Sequence, residues 1–122
     1  MTTIETNNNP TVCNFEYLSN LMGGKQDLIK KIMDTFLVQV QEELNAINNA
    51  ILITDYTTIK NMAHTMKSSV SIMGIAALQP ILQEMEDLSK ITTSFERIIA
   101  LNTQLNLICN QAFEEIKNYS FS

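Results

Sequence analysis

Ala63-His64-Thr65-Met66-Lys67-Ser68-Ser69-Val70-Ser71-Ile72-Met73-Gly74 sets the helical phase from which the rest of this 122-residue chain is read. At about 100° per residue, Ile59, Met62, Met66, Ser69, Val70 and Met73 gather on one side of a helix. An apolar side of that width needs a core to face. His64 is the only histidine, and it points nearly opposite, with Lys60, Lys67, Ser68 and Ser71 beside it. A solitary histidine turned toward water among small residues and lysine calls for a chemical explanation.

Working outward, Thr54-Asp55 offers an N-cap, so this helix is predicted from about Tyr56 to Met73, with Gly74 weakening its end. The next helix begins near Ala77. Pro80 is acceptable there because it falls in the first turn, where no intrahelical N–H bond is lost. Its apolar side is Leu78, Ile81, Leu82, Met85 and Leu88. Thr93-Ser94-Phe95-Glu96 has a capping-box pattern and opens the last helix, striped by Phe95, Ile98, Ile99, Leu105, Ile108, Cys109, Ala112, Phe113 and Ile116.

Upstream, a helix from about Lys25 to Asn49 carries Leu28, Ile29, Ile32, Met33, Phe36, Leu37, Val40, Leu44 and Ile47 on one side; Lys30, Lys31, Gln39, Gln41, Glu42 and Glu43 fill the other. A short helix from about Asn14, with Phe15, Leu18, Leu21 and Met22 as its apolar side, is stopped by Gly23-Gly24. Residues 1–12 read as a flexible polar tail and residues 13–122 as one domain. No segment alternates with period two. The expectation is an all-α protein: an antiparallel up-down four-helix bundle with a short additional N-terminal helix.

Composition narrows the function classes. Hydrophobic residues make up 45% and charged residues 17%, enough for a single core and against global disorder. A net charge of −5 disfavours nucleic-acid binding, which needs Lys and Arg to neutralise phosphates. Two distant cysteines, Cys13 and Cys109, form no CxxC pair and read as one loop thiol and one core thiol in a reducing cytoplasm. The start of the chain lacks a signal-peptide pattern, and no stretch approaches the ~20 apolar residues of a membrane span. Seven methionines spread over several helices read as core filling. A cytoplasmic monomer without a cofactor or metal of its own is expected.

For His64 several readings stand side by side. It is an ordinary surface or hydrogen-bonded histidine, or it has a chemical task. One His with no His or Cys partner at ligand spacing makes a weak metal site. Composition leaves a Ser-His-Asp triad open, although Ser68 and Ser71 share the histidine's own helix face and no nucleophile elbow is present. The last option is His64 as nucleophile: a carboxylate accepting the Nδ1 proton leaves Nε2 with the lone pair. Lys67, one turn on, offsets the charge of a phosphoryl group, and small Ser68 and Ser71 let a partner approach.

His64-x-Met66-Lys67-Ser68-Ser69-x-x-x-Met73-Gly74-x-x-x-Leu78 resembles the signature of histidine-containing phosphotransfer (HPt) domains. Tyr17-Leu18 through Gly23-Gly24 and the long second helix resemble bacterial members. The resemblance covers most of the chain. It implies that His64 is the phosphorylated histidine, Lys67 stabilises the phosphoryl group, and Gly74 permits tight packing. Glu86 matches a position where the family often has Gln or Glu near the histidine, which implies the Nδ1 partner. The family often has glycine directly after the lysine, where this chain has Ser68; serine is still small, so the departure bears on docking geometry.

The resemblance further implies a phosphorelay intermediate, fed by a receiver-domain aspartate and discharging to another, with Mg²⁺ on the receiver. The absence of a GxxxxGK[ST] loop agrees with a carrier that is not an ATP-dependent kinase. Lys60, Asn61, Ser68, Ser71, Ile72 and Ile75 are the expected docking face. The rival is a helical adaptor that binds a receiver or kinase without being phosphorylated. Met1 and the polar tail favour a free-standing protein over a segment of a hybrid sensor histidine kinase.

Overall fold

The computed structural model describes residues 11–119, so residues 1–10 of the expected tail lie outside it. Among the described residues there are five helices and no strand: α1 (Phe15–Leu21), α2 (Gln26–Leu52), α3 (Tyr56–Ile72), α4 (Leu78–Lys90) and α5 (Phe95–Lys117). α3 packs on α4 and on α2, and α5 closes the ring between α4 and α2. The buried side chains of all five form one core.

The N-caps explain the starts of α1 and α3. Asn14 Oδ1 accepts the Tyr17 N–H at 2.9 Å, and Asp55 Oδ1 accepts the Thr58 N–H at 3.1 Å. Pro80 is the third residue of α4, within the first turn as expected. The capping box at Thr93–Glu96 does not form. The Thr93 N–H is already committed to Leu88 O at 3.2 Å, and Ser94 sits in the left-handed region (φ 55°) with no side-chain cap bond. A connection this short closes α4 and opens α5 with the same residues.

Four helices end alike: the residue after the C-cap turns left-handed, and the next N–H returns to a carbonyl in the last turn. Glycine makes this turn after α1 (Gly23, φ 65°) and α3 (Gly74, φ 67°), but Thr54 (φ 53°) makes it after α2 and Thr92 (φ 47°) after α4. α2 thereby runs past the expected end at Asn49, since Ala50 is buried and Ile51 half-buried; the Asp55 N–H closes on Ala50 O at 2.8 Å.

The stripes hold with five exceptions. Glu43, read as solvent-facing, is buried: it falls between Val40 and Ile47 within the stripe, and only its polarity argued otherwise. Leu101 is buried, whereas Ile99 is exposed, because the α5 stripe steps through Ile98, Leu101 and Leu105. Leu28, near the start of α2, and Leu21 are also exposed.

Both ends of the described chain are tied down. Glu115 on α5 accepts the Val12 and Cys13 N–H groups at 2.8 and 2.9 Å, and Phe15 packs on Tyr119. Cys13 belongs to the loop before α1 yet is buried like Cys109. Burial raises both thiols, Cys109 to about 12. No described helix is long and apolar enough to cross a membrane.

Candidate functional site

The phase of α3 fixes where its polar residues go. Ile59, Ala63, Met66 and Val70 are buried at spacings of four, three and four, so His64, Ser68 and Ser71 must face outward. The His64 side chain is 67% exposed, midway along the helix. α4 packs beside it and brings Glu86, flanked by buried Met85 and half-buried Leu88, against α3.

Glu86 is the centre of the site. Its side chain is only 8% exposed, and Oε2 lies 2.9 Å from His64 Nδ1. A carboxylate offers only acceptors, so Nδ1 carries the proton, and in the neutral imidazole Nε2 is left with the lone pair. Oε1 lies 2.6 Å from Lys67 Nζ, an ion pair off the axis of a good hydrogen bond, so this buried oxygen has no aligned donor. The Lys67 ammonium holds Glu86 below the usual carboxylate range; burial opposes it and His64 adds to it. Glu86 is therefore an anion that faces both groups at once.

Three further residues of α4 belong to the site and were missed in the sequence. The Lys67 ammonium donates to Gln83 Oε1 at 2.9 Å, and Gln83 Nε2 donates to Asp87 Oδ1 at 2.9 Å. Gln79 Nε2 donates to the Lys67 carbonyl at 3.2 Å. The signal was present: Gln79, Gln83 and Glu86, spaced four and three apart, draw one polar line along α4.

Of the expected docking face, Asn61, Ser68 and Ser71 are exposed and Lys60 is half-buried. Ile72 is half-buried in a groove between α3 and α2, lined with Ile32, Thr35, Phe36, Gln39 and Ser69. Ile75 is a correction. It is fully buried, because the left-handed turn at Gly74 sends the chain back inward and the Ile75 N–H bonds Val70 O at 2.9 Å. Gly74 also meets the N-terminal segment: a Cβ there would lie 2.6 Å from Asn14 Cβ. No cluster of three potential metal ligands occurs among the described residues.

Known proteins give the same direction. A family model described as Hpt domain matches residues 31–118, the region that holds His64, Lys67 and Glu86. The crystal structure of histidine-containing phosphotransfer protein B (HptB) from Pseudomonas aeruginosa PAO1 is similar, with a TM-score of 0.76 and 22% identity. The match covers 88% of this chain and 96% of that one, and it shows a shared fold. No curated protein matches the chain. With the family model spanning α3, α4, α5 and most of α2, the chain belongs to the Hpt domain family, the histidine-containing phosphotransfer domains.

Proposed function

We propose that His64 accepts a phosphoryl group from a receiver-domain aspartyl phosphate and passes it to an aspartate on a second receiver. The observation that carries this reading is the 2.9 Å contact between Glu86 and His64 Nδ1 on an exposed ring. The lone pair of Nε2 attacks phosphorus in line. The N–P bond forms as the P–O bond breaks, and the aspartate leaves as a carboxylate. The Nδ1 proton stays in place, and the positive charge gained by the ring faces the Glu86 carboxylate. Reversal of the same step on a second receiver returns the imidazole.

Lys67 steadies the phosphoryl oxygens in this reading. The receiver supplies Mg²⁺, so this domain needs neither a cofactor nor ATP-dependent kinase activity. Asn61, Ser68, Ser71, Lys60 and Ile72 form the docking face, with Ile75 removed from it by burial. An up-down arrangement of α2 to α5, capped by α1, suits a rigid platform for that face, acting as a cytoplasmic monomer.

The test is transfer from a phosphorylated cognate receiver. Acid-labile, base-stable label should appear on the wild-type protein and vanish in His64→Gln; label that persists in the variant overturns the reading. Lys67→Ala should keep its helical spectrum and transfer about tenfold more slowly.

A further inference from the structure

The Lys67 ammonium is already engaged by two side chains of α4, Glu86 and Gln83. Its ammonium lies against Glu86 Oε1, the other oxygen of the carboxylate that holds His64 Nδ1. The phosphoryl group would sit on Nε2, the opposite nitrogen of the ring. The side chain is 23% exposed, and its aligned hydrogen bond goes to Gln83 Oε1 at 2.9 Å, while the contact with Glu86 is oblique. Glu86 thus supplies charge, and Gln83 supplies direction.

The Gln83 amide is itself oriented. Its Nε2 donates to Asp87 Oδ1, which leaves Oε1 toward the ammonium. The reversed amide would set NH₂ against NH₃⁺ and C=O against a carboxylate, unfavourable at both ends. Gln79 fixes the other end of the lysine by donating to its backbone carbonyl. Asp87, Gln83, Lys67, Glu86 and His64 therefore form one line of contacts across α4 and α3.

We propose that Gln83 is a positioning residue that parks the Lys67 ammonium on Glu86 while His64 is unphosphorylated, so that Lys67 serves the phosphoryl group only after leaving the Gln83 amide. This deepens the phosphotransfer reading and rests on it. Removing the amide frees the lysine sooner and lowers the barrier to loading His64.

Phosphoramidate tests this without a receiver. Nε2 attacks its phosphorus, the N–P bond to His64 forms, the donor P–N bond breaks, and ammonia leaves. Loading is followed by ³¹P NMR on the full chain, with helix content checked by circular dichroism. Gln83→Ala should load about three to ten times faster than wild type, the scale of one hydrogen bond to a charged group discounted for partial exposure. The gain should vanish in a Lys67→Ala background. The Lys67 ammonium protons, followed by ¹⁵N NMR, should exchange with water faster in Gln83→Ala than in wild type.

An unchanged or slower loading rate in Gln83→Ala overturns the proposal, as does a gain that persists without Lys67. Absence of label on wild-type His64 counts against the phosphotransfer reading instead, and the ammonium exchange then still decides whether Gln83 holds the lysine.

Discussion

The buried carboxylate between His64 and Lys67 has a measurable signature of its own. Because its partners hold Glu86 below the usual carboxylate range, the folded chain binds that proton more weakly than the unfolded chain. Its contribution is full above the ordinary carboxylate value and is lost as pH falls through the lowered folded value. Between about pH 5 and pH 2, wild type should therefore lose more stability than Glu86→Gln, read as urea midpoints across the series. Parallel curves would show that the pair contributes nothing in solution. At this scale the sequence was a good guide to where the His64 and Lys67 side chains lie, because their helix phase and spacing are local. It was poorer for Gln83 and Asp87: the polar line Gln79–Gln83–Glu86 is visible in α4, but what it meets is set only when α3 brings Lys67 against it.

Helix ends were legible where special residues mark them. Asn14, Asp55, Gly23 and Gly74 announce their caps, and the structure uses each one. Thr54 and Thr92 were illegible, since a β-branched residue is a poor choice for a left-handed turn. Here the closing hydrogen bonds, Asp55 N–H to Ala50 O and Thr93 N–H to Leu88 O, override that preference. The contrast is testable in one set of urea titrations. Thr54→Gly should stabilise the protein by about 1 kcal/mol by relieving the left-handed strain. Gly74→Ala should destabilise it by about 2–3 kcal/mol, because it combines that strain with a methyl pressed onto Asn14. Ile75 was misplaced because the left-handed turn at Gly74 returns the chain to the core, where the exposed face of α3 was read as continuing past it.

Across the whole molecule, the all-helical class followed from apolar spacing alone, because four stripes of similar width need one another for burial. The one charged residue to depart from its stripe was Glu43, whose Oε1 is buried without a hydrogen-bond partner, while Oε2 has a 3.4 Å bond from Gln39. Burial raises its pKa, so the folded chain binds this proton more tightly than the unfolded one, opposite in sign to Glu86. Its penalty is present at neutral pH and is relieved as pH falls toward the ordinary carboxylate value. Glu43→Gln should gain about 1 kcal/mol at pH 7, about 4 °C in Tm, with the gain shrinking on acidification; calorimetry at two pH values checks this. A last consequence comes from the exposed imidazole on the flank of α3, with one nitrogen committed to Glu86 and one open. A single open nitrogen admits one visitor at a time. In the proposed relay, upstream and downstream receivers are thus rivals for the same berth, and an excess of the downstream receiver would throttle loading as well as speed discharge.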